Sequence, residues 1–455
     1  MKLPAIVCDA QNLSQVAIIQ ELGKYKIPII SIADTGHAIG NASKYISKKY
    51  NWSVPSYSEE YIHNIITYLE RGVIFYSNDP NTENISEHKQ KLLSSGFKVI
   101  VADRSILNTV INKENLYIST QECSVKVPKT AVVHTYEDLL FKSSEINYPF
   151  ILKANNFAGG IYTLVTNKAE VQYCYKMMRE KVDDKINLTW RQSSLLIQEW
   201  IPQDNLVLWN FSAIVLNGEI KSYSMGRRIR TNLRKDGTIG STLMHGETEY
   251  NKMIFENNKR LFRHLTYEGF VETEWSIDKV THEIYLYDFN PRPSGNIRWA
   301  LNSGLDIYQF YSIAINNAKT DSSHEDIKSH EQVDCSNEIN TSIKMIQNVK
   351  YYKIFYEVND FTVAVSNPKL TYHQKFLVLA ENIFAICQYK KNVIDILDSN
   401  DLKPTIIASK KVPYIYIKSL IKLILSMLLS YLPAKTAQII KQTISKALIK
   451  PDYTN

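Results

Sequence analysis

Over the first hundred residues, short apolar runs alternate with stretches of helical periodicity. Ala5, Ile6, Val7 and Cys8 form the first run, an apolar-periodic stretch follows over 16–22, Gly23 stops it, and 27–32 is the next run. Further runs begin at Val73 and at Val99. Such repetition predicts a parallel α/β sheet within a first unit, residues 1–110. The loop after the first run, 9–15, holds no glycine. Its backbone therefore cannot approach a pyrophosphate closely, and no dinucleotide site is expected there despite the topology.

A helix is expected at Lys113, followed by an apolar strand over 148–153 that ends on a lysine, Lys153, with Gly159 and Gly160 just beyond. A buried ammonium at the end of such a strand needs an anion to pair with it. The run 195–201 is another strand, broken at Pro202, and 211–224 is a hairpin turning on Asn217 and Gly218. Four arginines follow within eight residues, at 227, 228, 230 and 234. A short helix is expected over 257–266, and then two alternating strands, 272–278 and 283–290. Asp288 and Asn290, two apart, share a face of the second strand, and Glu274 on the first comes beside them if the two pair antiparallel. Taken alone, this is an ordinary hairpin with an acidic face, or a seat for a hard cation shared with phosphates.

Residues 319–340 are polar and aperiodic, the mark of a surface loop or linker. Strand-like alternation returns over 341–400. Beyond it, 414–431 projects as a helix with Lys418, Lys422, Ser419, Ser426 and Ser430 in one sector and apolar side chains elsewhere, and 434–450 as a second amphipathic helix.

The chain has 455 residues, of which 44% are hydrophobic and 22% charged, enough for two or three packed units. Its net charge is +7, yet residues 402–451 alone carry nine lysines and no acid. The body is therefore near neutral and the basic character belongs to the tail. A basic groove with stacking aromatics is missing from the body, which argues against nucleic acid as a partner. The cysteines at 8, 123, 174, 335 and 387 show no metal-like spacing and fit a reducing compartment. The N-terminus shows no long apolar segment of the secretory type. A cytoplasmic protein is expected, its tail lying peripherally on the inner face of the membrane, since two lysines inside the 414–431 stretch disfavour a span and suit an anionic leaflet. The alternatives for the tail are a helical hairpin docked on the body or a homo-oligomer contact.

The run from Gly269 to Glu274, followed by Asp288, Asn290, Pro291 and Arg292, resembles the metal loop of the ATP-grasp superfamily, most like the branch of D-aspartate and D-alanine–D-alanine ligases. Asp288 is a departure, since glutamate is usual there. The order and spacing of the other segments fit the same pattern over roughly residues 3–318. The resemblance implies an ATP-grasp fold, with two α+β subdomains gripping ATP, preceded by a small parallel α/β domain and followed by the basic helical tail. The corresponding divisions are 1–110 for the preceding domain, which in relatives helps bind substrate, and 111–200 and 201–320 for the two grasp subdomains. An accessory strand-rich region over 321–400 and the tail over 401–455 complete the chain.

It further implies a role for each candidate. Lys113 and Lys153 would hold the α- and β-phosphates, and Gly159 and Gly160 would close over the triphosphate. The segment of Gln198, Glu199, Ile201 and Asp204 would cradle adenine and ribose, with Glu199 or Asp204 reaching the ribose. Glu274, Asp288 and Asn290 would hold Mg²⁺ or Mn²⁺. Arg227 or Arg228, together with Arg292, would stabilise the transferred phosphate, with Arg298 a second candidate and 238–242 lining the substrate cleft. The implied reaction is ligation of a carboxylate to an amine through an acyl phosphate. The membrane-directed tail points to a cell-envelope or polysaccharide precursor as substrate. The competing readings are a soluble amino-acid ligase with an oligomerising tail and a nucleotide-binding sensor or scaffold without catalysis.

Overall fold

The computed structural model describes residues 2–155, 162–186, 194–233, 239–316, 349–354, 360–367, 370–389, 391–395, 397–410 and 412–430. Its first sheet is parallel: β1 (Ala5–Val7), β2 (Ile29–Ala33), β3 (Ile46–Asn51) and β4 (Val73–Phe75), in the spatial order β3-β2-β1-β4. β1, β2 and β4 are buried along their whole length, as their continuous apolar runs require. β3 lies at the edge, and its lysines make it unrecognisable as a buried strand. The run at 99–102, expected as a strand, is buried but adds only a single bridge, Lys98 to Val73. The Ala102 carbonyl accepts from Ser86 Oγ (2.7 Å), outside any ladder.

The second sheet is antiparallel and consists of β5 (Thr130–Val133), β6 (Phe150–Ala154), β7 (Tyr162–Val165) and β8 (Leu195–Glu199), ordered β5-β8-β6-β7. Helices Tyr136–Ser143 and Val171–Ile186 cover one face, where Phe150, Leu152, Met178 and Ile197 form a core. Because strand side chains alternate, the opposite face carries Lys153 and Gln198.

The third sheet contains β9 (Leu206–Leu216), β10 (Glu219–Leu233), β11 (Ile239–Thr248), β12 (Gly269–Asp278), β13 (Ile284–Asn290), β14 (Lys350–Tyr352) and β15 (Val393–Ile394), ordered β13-β12-β9-β10-β11-β14-β15. β9 turns into β10 through Asn217 and Gly218, both at positive φ (49° and 78°), the geometry of a tight hairpin turn. A Cβ on Gly218 would lie 2.8 Å from the Arg263 backbone, so glycine is also needed there for packing. The helix Lys252–Leu265 starts five residues before the expected position, because Asn251 Oδ1 accepts from the amides of Met253 (3.0 Å) and Ile254 (3.1 Å). Stacking of Phe270 on Phe310 (4.2 Å), with Phe75 against Phe310 (5.0 Å), joins the first sheet to the third.

The region expected to be strand-rich is largely helical where it is described. β14 and β15 extend the third sheet, while Asp360–Ser366 and Tyr372–Cys387 are helices. In the second of these the buried residues Val378, Asn382 and Ala385 recur at helical spacing, and Thr371 with Gln374 forms a capping box. The tail continues as helices Leu402–Ser409 and Val412–Leu429. The linker at 319–340 and the second tail helix expected at 434–450 lie outside the described residues.

Candidate active site

Strand register assembles one half of the site. Glu274 on β12 faces Asp288 on β13, and Glu272 faces Asn290; across the other edge of β12, Glu274 pairs with Asn210 on β9. Side chains two apart on a strand share a face, so these residues form a polar row on one side of the third sheet. Arg228 completes it: its Nη2 lies 3.0 Å from Glu274 Oε1, its Nε donates to Asn210 Oδ1, and Asn210 Nδ2 donates to Glu272 Oε1 at 2.6 Å. Arg227, one residue earlier, points the other way, to Glu247 (3.4 Å) and Glu249 (3.3 Å). Of the two candidates the structure brings only Arg228 to the row.

The other half comes from the second sheet and the helix Lys113–Glu122. Lys113 opens that helix, which Asn112 caps, and its Nζ lies 3.2 Å from Asp288 Oδ1. Lys153 Nζ donates to Tyr117 Oη (2.7 Å) and to Gln198 Oε1 (3.1 Å). Burial and the neighbouring Lys113 charge push Lys153 down to about 7, while Asp288 pulls against them. Burial alone would also lower Lys113, but Asp288 turns its net shift upward. Asp288 is likewise opposed by burial, yet the two lysines hold it below the usual carboxylate range. The two halves are therefore close enough for their charges to act on one another.

Arg292 closes the row from the loop after β13. Its Nη2 donates to Asn290 Oδ1 (3.2 Å) and its Nε to Asp79 Oδ1 (3.1 Å), at the start of the helix Asp79–Glu87 beyond β4. Arg298 is placed elsewhere. It is buried, donates to the Asp395 carbonyl (3.2 Å) and to Gln20 Oε1, and lies 3.6 Å from Asp398, linking Asp395 and Asp398 to Gln20 of the first unit. Arg230 likewise leaves the site, forming a bidentate pair with Asp360 (2.9 and 2.7 Å).

In the expected adenine segment, the buried Gln198 side chain donates to Thr130 Oγ1 (2.7 Å) and accepts from Lys153. The Glu199 carboxylate accepts from the Lys129 amide (2.9 Å). Ile201 is half-buried just past β8, and Asp204 lies in the turn Gln203–Asn205. Gly159, Gly160, Arg234 and Thr238 lie outside the described residues. Gly240 falls within β11.

The oxygen donors of Glu274, Asp288 and Asn290 on facing strands fit a hard cation that keeps several waters and shares phosphates. Among the described residues no group of three or more His, Cys, Asp and Glu side chains is placed to hold a metal ion. The carboxylates of Glu274 and Asp288 are instead paired with Arg228 and Lys113.

Four contributors were not singled out from sequence. Glu272 is buried, and desolvation with the nearby Glu274 pushes it up to about 7; its position two before Glu274 was the available signal. Tyr117 lies one helical turn after Lys113, a spacing that puts both on one face. Asn210 and Asp79 carry no local signal, because only tertiary pairing brings them in.

No protein-family model matches the chain. It is 24% identical over 244 residues to the D-aspartate ligase of Enterococcus faecium strain Aus0004, covering 51% of this chain and 56% of that protein. The match thus spans little more than half of that relative's length. Among solved structures, the fold resembles N5-carboxyaminoimidazole synthetase from Staphylococcus aureus, with a TM-score of 0.51 and 14% identity over 69% of this chain and 78% of that one. It also resembles the biotin carboxylase domain of Hydrogenobacter thermophilus 2-oxoglutarate carboxylase, whose structure holds MgADP and bicarbonate. There the TM-score is 0.54 with 14% identity, over 73% of this chain and 72% of that one.

Proposed function

We propose that this chain, which has the ATP-grasp fold, is an ATP-dependent carboxylate–amine ligase. The observation that carries the proposal is the meeting of Lys113, Lys153 and Asp288 between the second and third sheets, beside the row formed by Glu274, Asn290, Arg228 and Arg292. Two ammonium groups on one side and oxygen donors on the other are what a metal-clamped triphosphate requires.

In this reading Lys153 and Lys113 hold the phosphates, and the Gln198–Asp204 segment receives the nucleoside. Glu274, Asp288 and Asn290 would hold Mg²⁺, which when bound neutralises the phosphate oxygens. Lys113, paired with Asp288 here, would be the group that reaches the phosphates. A substrate carboxylate attacks the γ-phosphorus, giving an acyl phosphate and ADP, and an amine then displaces phosphate to form the amide. Arg228 and Arg292 face the charge that develops in both steps, and their planar forks suit phosphoryl and carboxylate oxygens. No nucleophilic side chain is required, since positioning and charge neutralisation supply the catalysis.

The 24% identity to a D-aspartate ligase supports C–N ligation as the reaction class. The basic tail favours a carboxylate or amine borne on a cell-envelope or polysaccharide precursor. The test is phosphate release from ATP across panels of carboxylates and amines. Release that needs both partners is expected, and it should fall by about 10²-fold or more in Lys153→Ala and Asp288→Ala. Turnover unchanged in both variants would reject the site.

A further inference from the structure

The helix Val412–Leu429 has two apolar faces, and the body uses only one. Tyr416, Leu420 and Leu423 pack on Phe361, Val365 and Phe376, with Tyr416 stacked on Phe361 (5.4 Å) and Tyr372 Oη donating to the Ser426 carbonyl (2.9 Å). On the side turned away, Tyr414, Ile417, Ile421, Ile424 and Leu428 are 66%, 58%, 47%, 38% and 54% exposed. Their spacing of three and four residues draws a continuous stripe, about 21 Å long at the helical rise. Lys418 and Lys422, both exposed, border it on one flank. Isolated exposed aliphatic residues are ordinary, whereas an ordered stripe of them marks a contact surface.

We infer that this stripe docks in the plane of an anionic lipid bilayer, with its aliphatic side chains among the acyl chains and Lys418 and Lys422 at the phosphate level. Charge selects this occupant. Lys418 and Lys422 flank the stripe within a stretch, 402–451, that holds nine lysines and no acid, so two copies of the face would set lysine against lysine, whereas an anionic leaflet matches both. Among the described residues no helix is long and apolar enough to cross a membrane. With its inner face already packed on the body, the helix can only lie flat. The inference stands apart from the catalytic one, because lipid binding is read without nucleotide or substrate.

The test uses the full chain in flotation with vesicles of phosphatidylcholine mixed with phosphatidylglycerol, and of phosphatidylcholine alone. Flotation with the anionic vesicles only, weakened by salt, is expected. The triple variant Ile417→Asp, Ile421→Asp, Leu428→Asp should partition at least about tenfold less, with an unchanged melting temperature because these side chains already face solvent. Deleting residues 431–455 should leave salt-sensitive flotation in place. A wild-type chain that stays with the aqueous phase, or a triple variant that floats as well as wild type, would overturn the inference. So would a wild-type dimer in light scattering that the triple substitution dissociates, since a second copy would then own the stripe.

Discussion

Lys153 is the residue whose protonation should be visible from outside. Buried beside Lys113, it is held at about 7, against an ordinary 10.5. Bound phosphates favour the ammonium form and raise that value, so nucleotide binding takes up a proton above neutrality. Affinity for ATP should be full below about pH 7 and fall as pH rises, with a slope approaching about tenfold per unit. Calorimetric titrations between about pH 6 and 9, without the other substrates, measure this; a flat profile in the wild-type chain would show that Lys153 does not meet the phosphates. Lys153→Ala should bind more weakly throughout and lose the slope. Folding stability should move oppositely. The unfolded lysine keeps its proton up to 10.5, so between about 7 and 10.5 the unfolded state binds more protons, and the stability contribution from this residue rises with pH. That Lys153 ends an apolar strand was legible in sequence; that Tyr117 and Gln198 would receive its ammonium was not, since those contacts span 36 and 45 residues.

At the level of elements, the alternation at 272–278 and 283–290 marked the two strands; the structure starts the first three residues earlier, at Gly269, and adds their register, which sets Glu274 against Asp288. The same period-two rule decided between Arg227 and Arg228 only once the face of β10 was known. Helix ends were less legible. Asn251 caps a helix whose expected start was at 257, because a cap is recognised by the amides it satisfies and not by apolar periodicity. Asn251→Ala should therefore lower stability by about 1 kcal/mol in denaturant unfolding, with phosphate release unchanged. The segment 360–387 misled for a related reason: aromatic and β-branched residues suit strands, but here tertiary packing and the Thr371 capping box favour helix. Arg230 anchors this segment to β10 through a bidentate pair with the buried Asp360. Arg230→Met strands that carboxylate in the interior, and a loss on the order of 3 kcal/mol is expected in the same unfolding measurement.

Across the whole molecule, the ion pair between Arg292, in the loop after β13, and Asp79 is a charged link between the first unit and the proposed reaction site. Asp79 sits just beyond β4, next to β1 in a sheet whose order places its topological switch between those two strands. Crevices at the carboxyl ends of strands flanking a switch are where ligands bind in parallel sheets, so a substrate seated there would lie beside Arg292. Asp79 then acts as a positioning residue: it fixes the guanidinium without touching the phosphates. Asp79→Asn keeps the size and the helix-start geometry but removes the charge that orients Arg292. The expected result is a fall in kcat of about 10- to 100-fold, with KM for ATP changed less than about twofold. Arg292→Lys should reproduce most of that fall, because an ammonium cannot bridge Asp79 and Asn290 in the fork geometry. A rise in KM for ATP at constant kcat in Asp79→Asn would place the pair in nucleotide binding instead, and an unchanged kcat would separate the first unit from the chemistry.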